Sequence, residues 1–154
     1  MFARFKRFID GLENGDTPNT RPKDELATAV AVLLAKAAAL DGGVDSDERR
    51  IVADRLSARY GVAAEELSEV MAEAEQTAET SVDLYHFTRV AKDLLDEAGR
   101  IELLEAMWEV VYADGTLHEY ESQLMRRVSG LLFVEDRESG AARKRALEKL
   151  GQDT

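Results

Sequence analysis

The sequence predicts an all-α protein, a single-domain bundle of about seven helices built on a duplicated unit of helix, Asp-Gly turn and helix. Two observations predict this fold class. Apolar residues recur at three- and four-residue intervals along most of the chain, which is the spacing of one helix face. Period-2 alternation is absent and β-branched clusters are few, so no segment resembles a strand. At 154 residues, the chain can bury a core as one domain.

The first predicted element is an amphipathic helix over residues 1–12, followed by a turn-rich linker over residues 13–23 and a helical domain over residues 24–154. The apolar residues of this first helix share one face, and they are Phe2, Phe5, Phe8, Ile9 and Leu12. Two alternatives stay open for this face. It packs back on the bundle and completes the core, or it places Phe2, Phe5 and Phe8 on an anionic membrane with the help of flanking basic residues.

The helical domain contains seven predicted helices, each with its own apolar stripe. We expect the helices around Leu33 and Trp108 to be central, with Leu33, Leu104 and Trp108 in the core. On the helix of Trp108, Glu102, Glu105 and Glu109 share one face, for which solvation is the default expectation. The predicted helices cover residues 24–40, 46–60, 63–78, 82–97, 99–113, 119–132 and 141–150.

The pattern D-G-x-[VL]-x-x-x-E occurs twice, 73 positions apart, from Asp41 to Glu48 and from Asp114 to Glu121. It resembles the end of a calcium-binding EF-hand loop. The positions that would supply the first EF-hand ligands carry no carboxylate, so neither copy is an EF-hand. Each copy joins an apolar helix to an amphipathic one, which is why we predict a duplicated helical hairpin.

Two interpretations of these turns stay open. In the first, glycine ends one helix and the following acidic residues cap the next, without any metal. In the second, the aspartates bind a divalent cation, because a carboxylate at a helix C-terminus is disfavoured unless a partner compensates it. The candidate metal ligands are Asp41, Glu48, Asp114 and Glu121, and such oxygen ligands favour calcium, magnesium or manganese.

Charge and composition narrow the range of partners. The net charge is −11, and residues 61–125 hold 16 acidic and 3 basic side chains. Nucleic-acid binders need a basic footprint, so we expect no nucleic-acid partner. An acidic body suits a cation or a basic protein partner instead.

The expected location is the cytoplasm. The N-terminus lacks the continuous apolar stretch of a secretory signal. No apolar run reaches the roughly 18 residues that span a bilayer. Peripheral attachment to the inner membrane through the first helix is the alternative. The chain contains no cysteine, so chemistry through thiolates is excluded.

Three stretches together resemble the TerB-like tellurite-resistance family, in particular its short bacterial cytoplasmic members. These are W-E-V-V-Y-A-D-G-T-L-H-E-Y-E at residues 108–121, D-L-Y-H-F-T-R at residues 83–89, and the copy from Asp41 to Glu48. The resemblance covers residues 24–135. The first copy departs from the family pattern, with Leu40 before the aspartate and a second glycine, Gly43, after the first.

This resemblance implies an all-α domain of two related halves, whose acidic turn residues are suspected of binding metal. It also implies association with tellurite and stress resistance systems that include membrane proteins, and no agreed catalytic activity. We therefore expect a non-catalytic, stress-associated module that binds a divalent cation and docks on a partner protein. The alternative is a metal-free acidic adaptor attached to a membrane or a membrane complex. An enzyme ranks last, because no phosphate loop, nucleophile elbow or complete metal motif occurs.

Overall fold

The computed structural model describes residues 22–39, 46–80, 84–113 and 119–151. These residues form seven α-helices and contain no strand, which confirms the predicted all-α bundle. The predicted helix at residues 1–12 and residues 13–21 of the predicted linker lie outside the described residues. In chain order the helices are α1 (Pro22–Ala39), α2 (Ser46–Tyr60), α3 (Ala64–Thr80), α4 (Tyr85–Leu94), α5 (Glu97–Val111), α6 (Glu119–Leu131) and α7 (Asp136–Lys149).

Two helices, α1 and α5, form the centre of the bundle and contact each other. α1 also packs against α2, α3 and α4, while α5 packs against α2, α6 and α7. Leu33 on α1 and Leu104 on α5 are completely buried. The prediction that the helices around Leu33 and Trp108 are central is therefore confirmed.

α1 is rich in alanine, which favours a helix and allows close packing. Pro22 is its first residue, where a missing N–H costs no intrahelical hydrogen bond. Ala31, Ala35 and Ala38 face Met71 and Ala74 of α3 across a contact that leaves no room for water. Small side chains let neighbouring helices approach closely, so this interface depends on dispersion contacts.

The joint between α4 and α5 differs from the prediction. The sequence predicts a helix continuing to residue 97, but α4 ends at Leu94 and Leu95 is extended. Asp96 is the N-cap of α5, and its side chain accepts a hydrogen bond from the backbone N–H of Gly99 at 2.8 Å. A capping carboxylate satisfies one of the N–H groups that a helix start leaves unpaired, so the new helix begins here.

The last helix, α7, begins at Asp136, five residues before the predicted start at Ala141. Its buried face starts with Ser139 and continues through Ala142, Ala146 and Leu147. Ser139 is polar, so the apolar stripe by itself misses the first turn. Asp136 and Glu138 stabilise that turn through their interaction with the helix dipole.

Helices α2 and α6 begin at Ser46 and Glu119, which are 73 positions apart. This spacing equals the predicted repeat. The two Asp-Gly turns lie outside the described residues, so the duplicated unit stays a prediction. α4 contacts both α1 and α6, and the repeat predicts no equivalent of it.

None of the described helices has the combination of length and apolar character that crossing a membrane requires.

Candidate functional site

Two of the four predicted metal ligands, Glu48 and Glu121, are described and are deeply buried. Each is the third residue of its helix, α2 or α6, and each exposes 1 % of its surface. The positive end of a helix dipole stabilises a carboxylate in the first turn. Burial of a glutamate at this position is nevertheless unusual, since a first-turn carboxylate normally stays in water. Both copies of the pattern therefore place a carboxylate inside the bundle.

The other two predicted ligands, Asp41 and Asp114, lie outside the described residues. Within the described part of the chain, no group of three or more His, Asp or Glu side chains is arranged to hold a metal ion. A cation site that uses Glu48 or Glu121 would therefore need at least one oxygen ligand from outside the described residues. Asp45, one of the acidic residues of the metal-free interpretation of the first turn, is likewise outside the described residues.

Helix α5 carries two buried carboxylates that the sequence analysis predicted to be solvated. Of the three glutamates predicted to share a solvated face, Glu102 is exposed, but Glu105 and Glu109 are buried. The expectation of a solvated face is wrong for these two. Their cationic partners come from α2 and α7, at least 40 positions away in the chain. Such partners are brought together only by the packing of the bundle.

Arg55 of α2 forms a bidentate ion pair with Glu109. Its Nε donates to Oε2 at 3.0 Å and its terminal nitrogen donates to Oε1 at 2.5 Å. The hydrogen bond to Glu109 raises the pKa of Arg55 although burial lowers it. Glu109 exposes 2 % of its surface. This two-pronged geometry is the strong form of a carboxylate–guanidinium contact, so it ties α2 to the central helix α5.

Glu105, one turn earlier on α5, binds α7. Arg145 Nε donates to its Oε1 at 2.6 Å, and the Lys149 ammonium donates to its Oε2. Burial raises the pKa of Glu105, but the hydrogen bonds from Lys149 and Arg145 outweigh it and the net pKa is lowered. The carboxylate is therefore ionised at neutral pH and attaches the closing helix to the core.

Aromatic side chains complete the contact between α5 and α7. Trp108 stacks on Tyr112 with ring centroids 5.9 Å apart. Arg143 lies over both rings, and its Nε donates to the Tyr112 hydroxyl at 2.7 Å. The indole N–H of Trp108 points to Ser139 Oγ at 3.4 Å. Trp108 is buried, which confirms its predicted role in core packing.

The chain contains 2 histidines, one of which lies in the described residues. His86 is exposed on α4. The other histidine, His118, lies outside the described residues.

Comparison with known proteins identifies the family. The family model TerB, described as Tellurite resistance protein TerB, matches residues 27–144. No curated protein and no solved structure matches the chain. The matched region runs from α1 into α7 and so includes both central helices and the buried Glu48 and Glu121. Because the match covers well over half of the chain, this protein belongs to the TerB tellurite-resistance family.

Proposed function

We propose that this protein is a non-catalytic module of a tellurite-resistance system that binds a divalent cation and docks on a partner protein. The family match supports the association with tellurite resistance. The observation that supports the cation is the burial of Glu48 and Glu121, each in the first turn after one of the Asp-Gly turns. The ligands in this proposal are Asp41, Glu48, Asp114 and Glu121.

The chemistry of the four side chains defines the ion. All four are carboxylates, which are hard oxygen donors and favour calcium, magnesium or manganese over copper. In this proposal, one cation is shared by the buried glutamate and the neighbouring aspartate of each copy.

The test is calorimetric titration of chelator-treated protein with calcium, magnesium and manganese, using the wild type and the variants Glu48→Gln and Glu121→Gln. A glutamine keeps the shape of glutamate and removes the charge. Removing even an outer-shell partner of a bound metal lowers its affinity ~10–100-fold. We therefore expect each glutamine variant to lose at least that much affinity for the cation. Asp41→Asn and Asp114→Asn together should abolish binding.

Glu102→Gln is the matched control, because Glu102 is an exposed glutamate on α5. We expect it to bind the cation like the wild type. If none of the three ions releases or absorbs heat on addition to the wild type, the cation proposal is wrong. If the ion binds but the double aspartate variant binds equally well, the ligands lie elsewhere.

A second candidate function, a metal-free adaptor for a basic partner, is favoured by the surface of α3. This helix carries six glutamates and no lysine or arginine. Glu65, Glu69 and Glu73 follow one another at four-residue spacing, at which like charges repel and destabilise a helix. A basic partner would relieve this repulsion.

A chelator distinguishes the two candidate functions, because only the first depends on a bound cation. A lysine-rich peptide titrated in the presence of chelator should still bind the adaptor, weakly and less tightly at high salt. The triple variant Glu65→Gln, Glu69→Gln, Glu73→Gln should lose that binding. Glu148→Gln, an exposed glutamate on α7, is the control. Binding that needs added cation would contradict the adaptor.

A further inference from the structure

The turn that ends α6 places a bulky aromatic residue where a helix normally ends in glycine. Phe133 has a φ of 58°, whereas the other residues with a positive φ in the described part of the chain are glycines. Two backbone hydrogen bonds hold the turn, from Val134 N–H to Ser129 C=O at 2.9 Å and from Phe133 N–H to Gly130 C=O at 3.1 Å. This is a Schellman motif, whose left-handed residue is sterically unfavourable for any side chain.

The sequence between α6 and α7 contains no residue type that normally stops a helix. Residues 131–139 read L-L-F-V-E-D-R-E-S and include neither glycine nor proline. The Phe133 ring is 73 % exposed and lies against the Lys92 ammonium, so burial of the ring contributes little to the turn. A strained residue persists only where the surrounding structure determines its conformation. The turn is therefore kept by tertiary contacts, namely the burial of Leu132 and Val134 beside it and the docking of α7.

A stripe of buried positions runs through α6 and α7 in one register across this turn. The positions follow one another in alternating steps of three and four residues, which is the spacing of one face along a continuous helix. Six of them are buried and Glu135 is exposed. The stripe consists of Met125, Val128, Leu132, Glu135, Ser139, Ala142 and Ala146. A single helix that runs from α6 through α7 would therefore present the same side chains on one face.

α7 is attached to the bundle by contacts that do not depend on the turn. It packs mainly on α5 and less extensively on α6. Its buried face is formed by small side chains and Leu147, and its Arg145 and Lys149 bind Glu105 of α5. Any α7 that reaches α5 can make these contacts, whether it belongs to the same chain or to a second copy.

We propose that α7 is exchanged between two copies of this chain, which form a dimer in which each copy docks its α7 on the α5 of the other. In this dimer, α6, the hinge at residues 132–135 and α7 form one continuous helix, roughly 45 Å long at 1.5 Å per residue. The continuous helix removes the left-handed conformation of Phe133. Short hinge loops under strain favour this kind of exchange.

The hinge and the protein concentration set the equilibrium between monomer and dimer. The contacts of α7 with α5 are the same in both forms, so they do not favour either one. The short hinge favours the monomer, because it keeps α7 close to its own α5 at an effective concentration in the millimolar range. Relief of the strained turn in both hinges favours the dimer. We therefore expect a monomer in dilute solution and a dimer at millimolar concentration.

Two substitutions of Phe133 should shift this equilibrium in opposite directions. Phe133→Gly suits the left-handed turn and weakens a helix, whereas Phe133→Ala keeps the strain of the turn and favours a helix. Both variants lack the exposed ring, so they are matched in surface. Each of the two effects is worth about fivefold per hinge. Because a dimer has two hinges, its dissociation constant should be at least about 100-fold higher for Phe133→Gly than for Phe133→Ala.

Size-exclusion chromatography with light scattering measures the dimer fraction in a dilution series of the full chain, after incubation at millimolar concentration. Tyr85→Ala, which removes a half-exposed aromatic ring from the start of α4, is the control and should behave like the wild type. A wild type and a Phe133→Ala variant that are monomeric at every concentration would overturn the proposal. Dimers that both Phe133 variants weaken equally would assign the association to the exposed ring and would also contradict it.

Charge reversal tests whether α7 is the element that is exchanged. One variant carries Glu105→Lys and the other carries Arg145→Glu with Lys149→Glu, so each places like charges between its own α5 and α7. In a mixed dimer that exchanges α7, each α7 meets an α5 of opposite charge. We expect native mass spectrometry to detect the mixed dimer after mixing and little dimer of either variant alone.

Circular dichroism shows whether the two charge variants are folded. If both are helical and their mixture stays monomeric, exchange of α7 does not occur and the proposal is wrong. If either is unfolded on its own, the two Phe133 variants decide the question, because their substitutions lie at an exposed position.

Discussion

Helices α1 and α5 both run through the centre of the bundle, but they bury different side chains. The buried stretch of α1, from Thr28 to Ala38, consists of alanine, valine and leucine apart from Thr28 and the half-buried Lys36. The buried stretch of α5 includes Glu105 and Glu109. Lys36 donates to the Ala78 carbonyl, and both α5 glutamates form ion pairs. α1 is held mainly by close packing, and α5 by packing and buried charge.

This difference predicts how the contacts of each helix respond to mutation, pH and salt. Close packing is insensitive to pH and salt, and it is weakened chiefly by removal of volume. Buried ion pairs are weak evidence for net stability, yet breaking one leaves an uncompensated charge and is strongly destabilising. The contacts of α5 with α2 and α7 should therefore be the part that charge mutations and acid affect.

The largest effect is expected at the Arg55–Glu109 pair. Arg55→Met leaves Glu109 buried without its bidentate partner, and we expect a loss of about 3–5 kcal/mol in the free energy of unfolding. Urea unfolding at pH 7 measures it. The double variant Arg55→Met, Glu109→Met removes both charges and should recover most of the loss. A double variant as unstable as the single one would mean that packing, not charge, is the cause.

Removal of core volume should affect the two central helices to a similar extent. Leu33→Ala on α1 and Leu104→Ala on α5 each truncate a completely buried side chain, and each should cost about 2–5 kcal/mol. Chemical denaturation followed by circular dichroism is the measurement. Midpoints that hardly move would mean that these positions tolerate cavities and that the comparison of the two helices is mistaken.

Acid should weaken the contact between α5 and α7 through Glu105. Its folded pKa is lowered from an ordinary value of 4.5, so its ion pairs stabilise the fold fully above that pH. The contribution is lost as the pH falls below 4.5 through the folded pKa. Glu105→Gln should be less stable than the wild type at pH 7, with a smaller difference near pH 3. Urea unfolding at both pH values measures this, and an equal difference at both would contradict it.

The smallest expected effect concerns the aromatic contact between α5 and α7. Arg143→Ala removes a cation from over Trp108 and Tyr112, and exposed contacts of this kind contribute about 0.5–1 kcal/mol. The tryptophan fluorescence should change in this variant, because Trp108 is the only tryptophan of the chain. Lys144→Ala, the exposed neighbour, is the control. Equal effects of the two variants would indicate a general charge effect.

Much of the fold follows from local patterns. The apolar periodicity predicted α2 and α6 closely, and it identified Leu33, Leu104 and Trp108 as core residues. Periodicity succeeds there because a helix buries a fixed face. It failed at the joint of α4 and α5 and at the start of α7, where Asp96 and Ser139 mark the structure through polar contacts that an apolar pattern does not record.

The candidate site divides in a similar way. The repeated D-G-x-[VL]-x-x-x-E pattern singled out Glu48 and Glu121, which the fold buries. The roles of Asp41 and Asp114 stay predictions.

The sequence by itself determined the helical class, the acidic character and the membership of the TerB family, because each depends on composition or on residues close together in the chain. Only the tertiary structure decided that Glu105 and Glu109 are buried rather than solvated. Helical spacing places them on one face, but whether that face meets water or the arginines of α2 and α7 depends on contacts 40 and 54 positions apart. Burying a carboxylate is tolerable only where such partners arrive, and their arrival is a property of the packed bundle.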